Sequence, residues 1–221
     1  MKKDINLQVR ANEEIEKKYT KTLQFIFIKA TLDLFPKSKI TIEHSVGRGI
    51  FGEIFKDEPL NEKDVKDIKD KMQELIDRDL PINKIKVTKE KAIDIFNSYN
   101  MYDKVLLLEQ VDFKEVKLYE LDGRYDYFYG PMTERTSDIK VFDLMYYDNG
   151  FILRRPNDYE KLTLAEFVEQ RKMSSIFRET EKWLDILGVG NVGALNKKID
   201  QGELVILIMI SEALNEQKIE E

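Results

Sequence analysis

The chain has no cysteine and only one histidine in 221 residues. The first absence excludes disulfides, thiolate nucleophiles and thiolate metal sites, and it fits a reducing compartment. The second excludes any centre built from several imidazoles. His44 stands beside Ser45 in a stretch that alternates like a strand, which sends neighbouring side chains to opposite faces, so the two are not a nucleophile and its base. Long apolar runs are also missing. The longest, Leu204 to Ile210, has seven residues where a bilayer span needs about twenty. The N-terminal MKKDINLQVRANEE has no apolar core of a secretory signal, so a cytoplasmic location with no membrane partner is expected. Positive charge is not in excess either: 36 basic against 42 acidic residues leave a net charge of −6, which opposes indiscriminate binding to nucleic acid. Local basic groups such as Lys37 with Lys39, or Arg154 with Arg155, read as solvated surface. A phosphate loop is absent too. Gly47 and Gly52 have its spacing, but Glu53 and Ile54 stand where Lys and Ser or Thr are required.

What is there reads as an ordinary globular chain, 42% apolar and 35% charged, long enough to bury a substantial core. Residues 12 to 35 predict a helix that is apolar on two faces, through Tyr19, Leu23, Ile26, Phe27, Ala30 and Leu34 and through Phe25, Ile28 and Leu32. Such a helix is sandwiched, and Pro36 ends it. KITIEHSV (39–46) and IFGEIF (50–55) read as a hairpin across Gly47-Arg48-Gly49. Gly47-x-Gly49-x-x-Gly52 is spelled like a dinucleotide loop, but strand text follows it instead of a helix. Asn61 caps a second helix with Asp64 three residues on, and Val65, Ile68, Met72, Leu75 and Ile76 form its inward stripe. A strand at 84–87 and a helix from about Thr88 follow; 103–110 fits helix or strand. From 115 to 155 the pattern is strands, with turns at Asp122-Gly123 and Asp148-Asn149-Gly150. From about Thr163 it is helical, with Phe167, Ile176, Phe177, Trp183, Ile186 and Leu187 as apolar contacts and Gly188 as a stop. Gly188-x-Gly190-x-x-Gly193 follows a helix and is discounted as a nucleotide site. Short helices from Val192 and from Glu203 complete the chain.

The densest chemistry lies in LYELDGRYDYFYGPMTERTSDIKVFDL, where Tyr125, Tyr127, Phe128 and Tyr129 crowd a Gly130-Pro131 corner. Aromatic residues on a corner line a ligand pocket or fill a core, and both readings are open. Glu43 and Glu53, opposed across the predicted hairpin, are either a carboxylate pair for Mg²⁺ or acid–base work, or two residues of an exposed strand face.

Three stretches in this order, KTLQFIFIKATLDLFPKSKITIE, PLNEKDVKDIKDKMQELIDRDLPINKIKVTKEKAIDIF and LYELDGRYDYFYGPMTERTSDIKVFDL, resemble the second additional (editing) domain of threonyl-tRNA synthetases over about residues 15 to 147. The resemblance implies an α+β fold, an antiparallel sheet with packed helices. That family's editing site consists of a His-x-x-x-His pair on the first helix and a Cys/His pair around Gly-Pro. Counting from Leu34-Phe35-Pro36 places the first pair on Lys21 and Phe25; around Gly130-Pro131 the second falls on Phe128 and Met132. All four positions lack the required group, which implies no hydrolysis.

GFILRRP and the stretch LAEFVEQRKMSSIFRETEKWLDILGVGNVGALNKKIDQGELVILIMISEALNEQKI resemble bacterial uridine kinase-like (nucleoside kinase) proteins, in the region that joins such a domain to the kinase. The resemblance implies an editing-like domain at 1–157 and a helical connector at 158–221, leading to a kinase domain absent from this chain. The expected role is a non-catalytic accessory or regulatory region. It would have no cofactor of its own, since ATP and Mg²⁺ belong to the kinase. Its cleft would be lined by Lys21, Phe25, His44, Phe128 and Met132, with Tyr127 and Tyr129 to stack a nucleoside or an RNA end. Hydrolytic editing of mischarged tRNA, with substrate hydroxyls and water supplying the chemistry, is one alternative. A structural module that forms a homo-oligomer through Leu204 to Ile210 is the other.

Overall fold

The apolar residues of the first predicted helix recur on both of its sides, and the fold answers with cover on both. The computed structural model of the chain describes residues 2–46, 49–168, 179–180 and 182–220. Helix α1 runs Lys2–Leu34 and is followed by β1 (Lys39–Val46), β2 (Gly49–Phe55), α2 (Glu62–Asp77), β3 (Asn83–Thr88), α3 (Lys89–Ser98) and α4 (Tyr102–Glu109). Then come β4 (Glu115–Leu121), β5 (Arg124–Asp126), a 3-10 turn at Thr136–Asp138, β6 (Asp143–Tyr147), β7 (Gly150–Arg154), α5 (Val192–Asp200) and α6 (Leu204–Glu220). The fold is α+β, with antiparallel sheets and packed helices as expected. No helix among the described residues is long and apolar enough to cross a membrane.

The strands form a four-stranded sheet in the order β1-β2-β7-β6 and a three-stranded sheet in the order β3-β4-β5. In the first, Ile54, Leu144, Phe151 and Leu153 enter the main core, while Phe51 and Ile152 belong to a small cluster with Val46. The alternation of strand side chains separates these two sets onto opposite faces. Local chemistry fixes the turns. Asp122 and Gly123, and likewise Asp148 and Asn149, take positive φ, the conformation a two-residue hairpin turn needs. Asn61 caps α2 with a complete capping box, its side chain accepting from the Asp64 amide at 3.0 Å while the Asp64 carboxylate accepts from the Asn61 amide at 3.1 Å.

On α1 the side chains of Phe25, Ile26, Phe27 and Ala30 are all fully buried. Phe25 and Phe27 are two residues apart, about 200° around the helix, and so face opposite ways. Phe27 packs on Phe151 of the four-stranded sheet, ring centroids 4.3 Å apart; Phe25 meets Phe128 beyond β5.

The chain divides into two compact units, Met1–Lys86 with Lys117–Gln170, and Val87–Val116 with Arg171–Glu221. Residues 87–116 thus belong to the second unit, although the sequence reading placed them in a domain ending at 157. In that unit Thr88 caps α3, whose Ala92 and Phe96 are fully buried, and the ambiguous 103–110 stretch is the helix α4. Two further expectations are corrected. Between β5 and β6 the chain is mostly irregular, not stranded, with one 3-10 turn. The helix expected from Thr163 is not present through Val168, where Thr163 bridges Asp158 and Leu162 takes φ 52°. Ile176 and Phe177 lie outside the described residues. Gly188 does end a helical segment at φ 66°, with Val189 N–H bonding the Leu184 carbonyl at 2.9 Å.

Candidate functional site

The side of α1 that faces away from the four-stranded sheet carries Lys21, Thr22, Phe25 and Lys29, residues at helical spacing. Each has a contact on the β4–β5 hairpin or on the corner that follows it. The Phe25 and Phe128 ring centroids are 5.4 Å apart at 52°. Thr22 is fully buried, and its Oγ1 accepts from the Thr133 amide at 2.9 Å and pairs with the Thr133 hydroxyl at 3.1 Å. The Lys21 ammonium is 6.0 Å from the Tyr129 ring centre, and a Cβ built on Gly130 would stand 2.5 Å from it. With φ at 92°, Gly130 is confined to glycine by its backbone, whereas the Lys21 ammonium ends a flexible side chain that can move aside. The Tyr119 hydroxyl donates to the Gly130 carbonyl at 2.6 Å and ties the corner to β4. Met132 is buried in the same core cluster as Phe25, with Phe128 packed against it.

Of the four positions Lys21, Phe25, Phe128 and Met132, the Phe25 and Phe128 rings pack together, Lys21 reaches the Gly130 corner, and Met132 is buried in the core cluster that Phe128 packs against. Tyr127 is half-buried, its amide donating to Asp126 Oδ1, whereas Tyr129 is 84% exposed. His44 is not part of this group. It stands 5.3 Å from the Phe51 ring, and Phe51 belongs to the sheet face opposite the one that holds Phe151 and α1. Burial pulls the His44 imidazole below its ordinary pKa, while the adjacent Glu43 carboxylate pulls the other way. Glu43 and Glu53 are not cross-strand partners: Glu53 pairs with Thr41, whose hydroxyl donates to Glu43 at 3.0 Å.

Two buried charges at this corner escaped the sequence reading. Lys29, one turn beyond Phe25, is 8% exposed, donates to Asp33 at 2.6 Å and is ion-paired with Asp122 at 3.6 Å. Its signal was a lysine set between Ile28 and Ala30, deep in an apolar run, with an acid four residues on. Asp126 is fully buried beside the aromatic residues, cross-strand from Tyr119. A buried carboxylate between two tyrosines is rare enough to have been flagged from sequence alone.

Known proteins match about half of the chain. Over 117 residues, 52% of the chain, it is 32% identical to the threonine–tRNA ligase of Paraburkholderia xenovorans (strain LB400), covering 18% of that ligase. Over 119 residues, 54% of the chain, it is 34% identical to the threonine–tRNA ligase of Citrifermentans bemidjiense, covering 19% of it. Half of the chain is homologous to a segment of threonine–tRNA ligases. The chain matches less than a fifth of the length of these curated relatives, and the homology supports the expected editing-like domain. No protein-family model matches the chain.

Proposed function

We propose that this chain is a non-catalytic accessory region built on an editing-type domain, serving a uridine kinase-like protein by binding a ligand or positioning the kinase. The observation that carries the reading is the closed corner: the Phe25 and Phe128 rings pack together with Met132 buried in the same cluster. Hydrolysis of an ester needs a polarised water and a base within hydrogen-bond reach of it. Apolar side chains at three of the four inherited positions supply neither, and they occupy the volume such a water would need. The fourth, Lys21, is a donor only. The kinase connection rests on the wording of residues 150–156 and 164–219.

Incubating the chain with seryl-tRNA mischarged on threonine tRNA tests the hydrolytic part. The expected deacylation is no faster than the spontaneous rate. Acceleration that collapses on Lys21→Gln would instead establish editing, the alternative favoured by the homology to threonine–tRNA ligases and by the polar Lys21, Thr22 and Thr133 left at the corner. The kinase part is tested by adding the chain to a uridine kinase-like catalytic domain and measuring association and uridine phosphorylation. The proposal expects a complex or an altered KM, and neither would be seen if the resemblance is incidental.

A further inference from the structure

Seven apolar residues in succession, Leu204 to Ile210, open helix α6. A helix that is apolar all round is normally covered on every side. Within the second unit only one stripe of this helix is covered: Leu207 is buried, and Ile210 and Leu214, three and seven residues on, are half-buried. Leu204, Val205, Ile206, Ile208 and Met209 lie on the arc of about 200° that this stripe leaves, and each is 44–65% exposed. The helix before it repeats the pattern. On α5, a Cβ built on the buried Gly193 would meet Leu106 of α4 at 3.2 Å, and the Gly193 carbonyl accepts from the Gln110 side chain at 2.9 Å. Val192, Leu195 and Ile199, at helical spacing on another side of α5, are exposed. Lys198 and Glu203, ion-paired at 2.7 Å, tie the turn at 201–203 that joins the two helices.

We propose that the outward face of α6 joins two copies of the chain across a two-fold axis. The exposed surface of its five apolar side chains comes to roughly 500 Å², about 60–65% of the roughly 800 Å² per partner that a stable dimer buries, which is the apolar share of such interfaces. Ser211 and Glu212, exposed one turn on, begin the polar rim. Charge selects the occupant. Residues 204–210 carry no charge in a chain that is 35% charged. A neutral apolar face is complementary to itself, as a two-fold interface requires, and it offers no cation to an anionic lipid surface and no charge pattern to a different protein. The dimer is independent of what the α1 corner binds or hydrolyses.

Sedimentation velocity of the full chain between about 1 and 100 µM tests it. The expected result is a species of twice the chain mass, predominant by about 10 µM. Val205→Glu and Met209→Glu, at the two most exposed of the five positions, 65% and 63%, are each expected to weaken the dimer at least about tenfold. Both leave the helix content by far-UV circular dichroism unchanged, and the milder Val205→Ser weakens the dimer by a smaller factor. Phe55→Glu, at a position 51% exposed in the first unit, leaves association unchanged. A chain that stays monomeric throughout, a dimer indifferent to the α6 variants, or a monomer that binds phosphatidylcholine vesicles through this face would overturn the proposal. The mischarged-tRNA assay separates the two claims. Hydrolysis by a dimeric chain sinks the accessory reading alone, whereas a monomer without hydrolysis sinks this inference alone.

Discussion

Replacing Phe25 with alanine distinguishes a packed corner from an open one by the size of the stability loss. Phe25 is fully buried, with its ring against Phe128 on one side and the α1 core around it. Deleting a ring from such a site removes its transfer free energy and leaves a cavity, which together cost about 3–5 kcal/mol. Phe25→Leu keeps most of the volume and is expected to cost about 1–1.5 kcal/mol. For a unit of this size about 3 °C of melting temperature goes with each kcal/mol, so the alanine variant melts about 10–15 °C lower. The two units can be watched separately. Trp183, the only tryptophan, is in the second, and eight of the ten tyrosines are in the first. Near-UV circular dichroism of tyrosine should therefore record the drop, while tryptophan fluorescence follows the other unit. A double-mutant cycle with Phe128→Leu should return a ring–ring coupling of about 0.5–1.5 kcal/mol. A loss below about 1 kcal/mol for Phe25→Ala, with no coupling, would mean that the ring lines a solvated hollow and that the filled-corner argument fails.

Other perturbations follow from the same geometry. Thr22→Val keeps the shape of a fully buried side chain but strips the Thr133 amide of its acceptor, and should cost about 1–3 kcal/mol by urea unfolding. Burial pushes the Asp143 carboxyl up, but the hydrogen bond and charge of Lys69, with the charge of Arg154, outweigh it and hold the group below the ordinary carboxylate range. A carboxyl depressed in the folded state adds stability above its unfolded pKa of about 3.9 and loses it as the pH falls through the lower folded value. Stability should therefore decline on acidification below about pH 4 more steeply in the native chain than in Asp143→Asn, as read from urea midpoints across that window. Asn61→Ala removes one half of the α2 capping box and should cost about 1 kcal/mol, with Asn61→Asp nearly neutral in the same measurement.

The parts of this fold that were legible in the sequence are those whose cause is local. The two-sided apolar pattern of α1, the Asn61 cap, and the turns at Asp122-Gly123 and Asp148-Asn149 each follow from a few consecutive residues, and each stands where the pattern put it. Where several structures share one local pattern, the sequence was silent. Val105 to Leu108 suits a buried strand or a buried helix, and is a helix. The assignment of 87–116 to the second unit depends on contacts with residues far along the chain, which no local spacing encodes. At the corner, counting from Pro36 and around Gly130 gathered Lys21, Phe25, Phe128 and Met132, because a helix and a tethered turn hold their residues in fixed phase. His44 was misplaced for the complementary reason. The β1–β2 register shifts between Ile42 and Ser45, and such an irregularity re-aims the side chains within it. Lys29 was passed over because only the apolar residues of that helix were weighed, although an ammonium buried there needs partners, here Asp33 and Asp122.

Ring-to-ring nuclear Overhauser effects in the folded chain reach the central claim most directly. With centroids 5.4 Å apart, the Phe25 and Phe128 ring protons should give strong mutual cross-peaks, and the fully buried Phe25 ring none to water. Missing ring cross-peaks, with water signals at Phe25 in their place, would show an open, wetted site and contradict the account.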